Sequence, residues 1–343
     1  MRWAIVLAGG SGTRFWPLST PERPKQLLAL AGPSSTAEET IARLDGLVPR
    51  ERVLVVTGPA LAPLLQQALG LPAANLLVEP RAASTGPALV WGTWEAKRRD
   101  PEADVLALHA DWAVGQAAAF RRVAAEALRV ARAHHRLVTV GIIPTRPETG
   151  YGYIVPGAPL EGEARTVERF VEKPDATAAL DLMAEGALWN SGLFAWTADD
   201  LLAEIRRNTP EIAPHLARLD AGDVAGFFRD VRSVSIDVGL LERSASIAVL
   251  PGAFSWDDVG TWEALSRVRP LDANGNVTEG PVFLHASRDC VAWTDAEPVV
   301  LVGVHDLVVV RANERVLVMH RSQAAHLKDV LDKLPAEVRE VHS

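Results

Sequence analysis

The chain has 343 residues, with 35 Lys plus Arg against 43 Asp plus Glu and a net charge of −8; at about 150 residues per domain this is one large domain or two unequal ones. Hydrophobic residues at 48% supply a sizeable core and charged residues at 23% are ordinary, which excludes disordered and fibrous classes. The single cysteine, Cys290, excludes an intrachain disulfide, and the acidic balance argues against a nucleic-acid partner.

The first half alternates short apolar runs with helical stretches. Runs at 3–8, 52–57, 75–79, 105–109 and 137–142 are dense in Val, Leu and Ile, as expected of strands buried on both faces. Between them, 36–44, 59–69, 85–99 and 117–134 carry helical spacing. This alternation predicts an α/β fold with a doubly wound, mostly parallel, Rossmann-like sheet. Ligands of such sheets bind beyond the carboxyl ends of the strands. From 150 the pattern is mixed, with strands expected at 151–155, 165–172 and 193–196 and helices at 176–185 and 199–206. Beyond Pro270, short strands at 282–285, 290–294, 299–302, 307–311 and 316–320 predict a small all-β unit, closed by a helix over 322–333. Pro270, Asp272, Asn274 and Gly275 mark the boundary, giving expected domains at 1–268 and 276–343. No apolar run approaches the roughly 18 residues of a membrane-spanning helix. The run at 3–8 is too short for a signal-peptide core, and with one cysteine the expected setting is cytoplasmic.

The strongest local signal is Leu7-Ala8-Gly9-Gly10-Ser11-Gly12-Thr13-Arg14, directly after the first strand. Glycines let backbone N–H groups approach phosphate oxygens, an adjoining helix N-terminus would add its dipole, and Arg14 adds a cationic fork. A plain glycine turn would also account for the glycines, but not for the Ser, Thr and Arg among them. No lysine completes a P-loop, and Phe15 stands where the dinucleotide fingerprint needs its third glycine. Lys25, within Pro24-Lys25-Gln26, is close enough in sequence to fold back on the same phosphates.

Taken together, Leu7 to Leu18 and Pro24-Lys25-Gln26-Leu27 resemble the sugar-phosphate nucleotidyltransferases, in detail their mannose-1-phosphate guanylyltransferase (GDP-mannose pyrophosphorylase) branch. The likeness continues in order through Glu79-Pro80-Arg81, Ser84-Thr85-Gly86-Pro87, Pro147-Glu148-Thr149-Gly150-Tyr151-Gly152-Tyr153-Ile154 and Phe170-Val171-Glu172-Lys173-Pro174. Trp189-Asn190-Ser191-Gly192-Leu193-Phe194, Ser235-Ile236-Asp237 and Trp256-Asp257-Asp258-Val259-Gly260-Thr261-Trp262 complete it. A cupin-type isomerase domain, which members of this branch often carry, is not expected within this chain.

The resemblance implies transfer of GMP from GTP to α-D-mannose 1-phosphate, giving GDP-mannose and pyrophosphate. It implies Mg²⁺ held by Asp111, which follows the fourth strand in His109-Ala110-Asp111-Trp112, and by Asp258; Asp257 is expected to be solvated or capping. It implies a nucleotide subsite of residues 7–14 with Lys25, Glu79, Pro80 and Thr85. Glu79 is the candidate acceptor for guanine. The sugar phosphate is expected at Gly150, Tyr151, Gly152, Glu172, Lys173 and Asn190, the glycines admitting the hexose and Asn190 offering both a donor and an acceptor. Arg14, Lys25, Asp111 and Lys173 are the expected catalytic set. No nucleic acid or membrane is implied, and a homodimer through the C-terminal β unit is. Two other readings stay open: the same chemistry on another nucleotide or hexose 1-phosphate, and a non-catalytic nucleotide-sugar-binding subunit.

Overall fold

The structure is a computed structural model that describes residues 1–10 and 12–339. Ser11 of the glycine loop lies outside the described residues. The chain divides into two compact units, residues 1–9, 40–110 and 114–256 in the first and 10–39, 111–113 and 257–343 in the second. The boundary expected near 268–276 thus falls inside the second unit, together with the chain from Gly10 to Glu39.

In chain order the elements are β1 (Arg2–Leu7), α1 (Thr36–Arg43), β2 (Val53–Thr57), α2 (Ala62–Leu69), β3 (Leu76–Val78), α3 (Thr85–Arg99), β4 (Asp104–His109), β5 (Ala113–Val114), α4 (Ala117–His134) and β6 (Leu137–Ile142). There follow β7 (Gly152–Glu161), β8 (Ala164–Glu172), α5 (Ala176–Ala184), β9 (Leu188–Thr197), α6 (Ala198–Asn208), β10 (Ile247–Pro251) and β11 (Trp256–Asp257). The first unit is built on a nine-stranded sheet of order β3-β2-β1-β4-β9-β6-β10-β8-β7. Its first four strands run parallel, as the βα alternation predicts. β9 then enters antiparallel between β4 and β6, and β7 and β8 pair antiparallel at the far edge. A strand was expected at 193–196, within β9, but not its place between β4 and β6, because a strand arriving from later in the chain leaves no local mark on its neighbours. Strand β10 is four buried residues and a half-buried proline, a run too short to stand out in the sequence. The core beneath α3 and α6 is aliphatic and aromatic, with Trp196, Phe227 and Phe228 fully buried in it.

The second unit carries β12 (Val277–Glu279), β13 (Val282–His285), β14 (Val291–Thr294), β15 (Val299–Val302), β16 (Leu307–Ala312) and β17 (Arg315–His320). Parallel pairing stacks Val277 on Val291 and Val291 on Val308, while Phe283 stacks on Val300 in a second ladder. This is a small β-helix, ended by the antiparallel pair β16–β17. The helix expected over 322–333 is instead a 3₁₀ stretch, Arg321–His326, followed by an α-helix, Leu327–Leu331. The buried residues explain the change: Ala324 and Leu327 are three apart, which suits a 3₁₀ turn, and Leu331 is four further on, which suits an α-turn. The core of this unit joins Phe15, Trp16, Leu18, Leu28 and Leu30 to Trp262, Val291, Trp293, Val308 and Val310. The segment after the glycine loop is therefore packed on the β-helix strands. Among the described residues, no helix is long and apolar enough to cross a membrane.

Candidate functional site

In the second unit the expected residues converge on Lys25. Its Nζ donates to Asp111 Oδ2 at 2.8 Å and to the Asp258 carbonyl at 2.9 Å. Lys25 is 6% exposed, and burying an ammonium is tolerable only because these oxygens replace its water. Gly12 makes the approach possible. A Cβ there would lie 2.5 Å from Lys25 Cβ and 2.9 Å from its backbone nitrogen, and φ is +61°. The Gly12 carbonyl accepts the Ser19 hydroxyl at 2.8 Å, which fixes the turn. The next element is a three-residue 3₁₀ turn, Thr13–Phe15, so the helix dipole expected beside the loop is not supplied there. Arg14 on that turn is exposed and makes no ion pair with a described residue.

Of its two expected roles, Asp257 takes the capping one. It is buried, pairs through both oxygens with Arg267 at 2.6 and 3.2 Å, and accepts the Val259 N–H at 2.9 Å. It caps, but it is not solvated. This holds Val259, a β-branched residue, at φ +46°, a conformation such residues reach only when the surroundings impose it. Asp258 lies between these fixed neighbours.

Asp111 through its carboxylate and Asp258 through its backbone carbonyl meet at the Lys25 ammonium, and the Asp258 carboxylate accepts Gly260 N–H at 3.2 Å. Among the described residues no group of three or more His, Cys, Asp or Glu is arranged to hold a metal. An ion that takes few carboxylates and completes its shell with water and substrate phosphate oxygens needs no such group.

In the first unit, Leu7 ends β1, and Ala8 and Thr57 form a stem beside Glu79. The Thr57 hydroxyl donates to the Ala8 carbonyl at 2.7 Å, and Glu79 N–H donates to the Thr57 carbonyl at 2.8 Å. Glu79 Oε1 is buried without a hydrogen-bond partner among the described residues, and burial pushes its carboxyl up to about 7. Pro80 beside it is exposed. Thr85, expected at the nucleotide, spends its oxygen elsewhere: it accepts the Ile236 N–H at 2.9 Å, which ties the start of α3 to the segment before Asp237. Just before it, Ser84 sits at φ +69° and ψ 179°, a region almost reserved for glycine.

The sugar-side residues gather on β7, β8 and β9. Glu172 Oε1 accepts Lys173 Nζ at 2.6 Å, while Glu172 N–H donates to Glu242 Oε1 at 3.2 Å. Lys173 is mostly exposed and at φ +48°. Gly152 pairs with Glu172 across β7–β8, and a Cβ on it would meet Glu172 Oε2 at 2.7 Å and Phe170 at 2.8 Å. That glycine was expected to admit a hexose; the space is taken by the Glu172 carboxylate, which it lets lie against the strand. Gly150 N–H donates to Glu148 Oε1 at 3.1 Å. Tyr151 is buried edge-on against Trp189 and Trp256, and Arg146 lies 4.9 Å over Trp189. These contacts clamp the loop that carries Gly150 and Tyr151. Asn190 Oδ1 accepts from Thr139 Oγ1 and Gly192 N–H, and its amide donates to Asp237 Oδ1 at 2.9 Å. Burial, with the nearby negative charge of Glu172, pushes Asp237 up to about 7. Thr57, Thr139 and Glu242 carry no motif signal, since a lone Thr or Glu in a strand or loop has none. Asp237 had one, its place in Ser235-Ile236-Asp237, but no role attached to it.

A model of the nucleotidyl transferase family matches residues 3–275, and one of the MannoseP isomerase/GMP-like beta-helix domain matches 282–334. The chain belongs to the nucleotidyl transferase family. Mannose-1-phosphate guanylyltransferase of Escherichia coli (strain K12) is 35% identical to it over 361 residues, 99% of this chain and 75% of that protein. The xanthan biosynthesis protein XanB of Xanthomonas campestris pv. campestris (strain B100) is 36% identical over 98% of this chain and 73% of that protein. The crystal structure of mannose-1-phosphate geranyltransferase from Thermus thermophilus superposes with a TM-score of 0.91 at 36% identity, covering 97% of this chain and 98% of that one. Members of this family generally work with a divalent metal ion.

The fit of Lys25 against Gly12 yields a direct expectation. Gly12→Ala forces Cβ onto Lys25 and strains the backbone, so it should destabilise the fold by about 1–3 kcal/mol. Urea unfolding of wild type and variant measures this, and equal midpoints would show that Lys25 can yield.

Proposed function

We propose that this nucleotidyl transferase moves GMP from GTP to α-D-mannose 1-phosphate, releasing GDP-mannose and pyrophosphate. The observation that carries this reading is the buried Lys25 ammonium held by Asp111 and Asp258 beside the glycine turn. A sugar phosphate monoester has its second pKa near about 6, so at neutral pH it is mostly a dianion and needs no general base. Alignment and charge neutralisation are what remain for the chain to provide. Arg14, exposed and unpaired among the described residues, meets the triphosphate. Lys25 fixes the geometry of the two aspartates and adds its own charge. Lys173 takes the sugar phosphate, with Glu172 beside it. Asp111 and Asp258 are the residues that would hold Mg²⁺, which would supply neutralisation of phosphate charge. Nucleotide substrates and the buried free thiol of Cys290 support a cytoplasmic setting.

Purified chain with GTP, mannose 1-phosphate and Mg²⁺ should release pyrophosphate and GDP-mannose. Lys25→Ala and Asp111→Ala should each lower kcat about 100- to 1000-fold, as for loss of one transition-state charge contact. Undiminished turnover in either folded variant would defeat the assignment.

Guanine presents N1–H and N2–H donors, and an ionised Glu79 accepts both. Because burial raises that carboxyl to about 7, the accepting form fills as pH rises through neutrality. KM for GTP should therefore fall between pH 6 and 8, and Glu79→Gln should flatten the profile. A wild-type KM that is level across this range would remove Glu79 from base recognition.

The outward faces of β13 and β15 support a homodimer. Phe283 and Val300 stack in register at 62% and 59% exposed, and Val302 follows at 60%, a contiguous apolar patch of the kind that marks an interface. Sedimentation should give a dimer that Phe283→Glu converts to monomer; a monomeric wild type would end the idea.

A further inference from the structure

Asn190 is pinned at both ends of its amide. Its carbonyl oxygen accepts from Thr139 Oγ1 at 2.8 Å and from Gly192 N–H at 3.2 Å, which occupies both lone-pair directions. A backbone N–H can only donate, so the amide cannot be turned over. The amide nitrogen gives one hydrogen to Asp237 Oδ1 at 2.9 Å and keeps one. Asn190 can thus offer a ligand a donor and no acceptor, where the sequence suggested both.

The acceptor stands next to it. Asp237 opens a π-helical turn, Asp237–Leu241, a rare backbone form found often at functional sites. The turn is braced from two sides: Ile236 N–H donates to Thr85 Oγ1 at 2.9 Å, and the Gly239 carbonyl accepts Thr209 Oγ1 at 2.8 Å. Asp237 also feels the charges of Glu172 and Lys173, the residues assigned to the sugar phosphate. A carboxylate has room for several hydrogen bonds, and Asn190 is the one side chain among the described residues that donates to this one.

We propose that Asp237 is a specificity-determining residue of the hexose subsite: its carboxylate accepts one sugar hydroxyl while the remaining Asn190 N–H donates to the neighbouring one, so the pair reads a vicinal diol. This rests on the hexose 1-phosphate reading above. A structural Asp237 that only steadies Asn190 would act on the sugar through Asn190 alone, and the two roles separate on deoxy substrates.

The test is kinetic, on the whole chain, with mannose 1-phosphate and its monodeoxy analogues at each ring hydroxyl. Wild type should lose about 10- to 1000-fold in kcat/KM on two analogues, those lacking the adjacent hydroxyls that the pair reads. Asp237→Asn should raise KM for the sugar phosphate about 10-fold or more and leave KM for GTP within about two-fold. It should also flatten discrimination at one of the two hydroxyls, and Asn190→Ala at the other. Two results overturn the proposal: discrimination in Asp237→Asn equal to that of wild type, or Asp237→Asn and Asn190→Ala flattening the same single hydroxyl. Should Asp237→Asn not fold, wild type decides: no pair of neighbouring hydroxyls that matters overturns it. If mannose 1-phosphate gives no product but glucose, galactose or fucose 1-phosphate does, the sugar assignment fails and the same comparison is run on the accepted sugar. No product from any of them overturns both readings.

Discussion

One buried ammonium organises the second unit. Lys25 Nζ is shared between the Asp111 carboxylate and the Asp258 carbonyl, residues separated by long stretches of chain. Each reaches it by a different constraint. Asp111 is delivered by the carboxyl end of β4, where the parallel register sets Leu7 opposite His109. Asp258 is delivered by a loop in which Asp257 and Arg267 hold Val259 in a left-handed conformation. Lys25 itself lies against a glycine that no larger residue could replace without movement. Removing the ammonium would take away the charge that both oxygens share.

Some of the non-glycine residues at positive φ lie at or beside residues singled out above, while others, such as Gln116, His135 and Asp306, do not. Ser84, Lys173 and Val259 all sit at positive φ, and each is or adjoins a residue of the candidate site: Thr85, Lys173 with Glu172, and Asp258. Such conformations cost about 1–3 kcal/mol each and persist only where the surrounding structure over-determines them. Here the surroundings are visible. The Thr85 hydroxyl on Ile236 N–H secures the first, the Tyr151 carbonyl accepting Lys173 N–H at 3.2 Å the second, and Asp257 the third.

The sequence was a good guide where structure is periodic. Helices α3 and α4 have the bounds their spacing predicts, 85–99 and 117–134, because apolar and small residues recur at helical intervals through the whole of each. The glycine loop stood out by its own composition, whereas Glu172, Lys173 and Asp111 were singled out only through the family resemblance; the structure brings Asp111 to Lys25. What could not be read was the choice of partner. Nothing local says that Thr85 serves Ile236, that Asn190 exhausts its carbonyl on Thr139 and Gly192, or that Gly152 makes room for Glu172. Those are outcomes of sheet register, and the register joins segments dozens of residues apart. The antiparallel entry of β9, which brings Asn190 beside Gly141, is the same limitation at the level of topology.

The division into units changes how the C-terminal strands are understood. By sequence, the β-helix looks like an appendage beyond a complete transferase, and the family models meet between residues 275 and 282. The hydrophobic core does not respect that line. Phe15, next to Arg14, packs on Trp262 at 5.1 Å, and Trp262 packs on Trp293 of β14 at 5.7 Å. Trp262 Nε1 donates to the Trp16 carbonyl at 3.0 Å, and Asn313 between β16 and β17 donates to the Pro17 carbonyl at 2.7 Å. A loop rich in glycine has little stiffness of its own, since glycine surrenders the most backbone freedom on folding. Its order must come from what it is packed against, and along Phe15 to Leu30 that support is the β-helix core. The C-terminal strands form the floor on which the segment carrying Arg14 and Lys25 is packed. The chain that follows the glycine loop is thus tied to residues nearly 300 positions away.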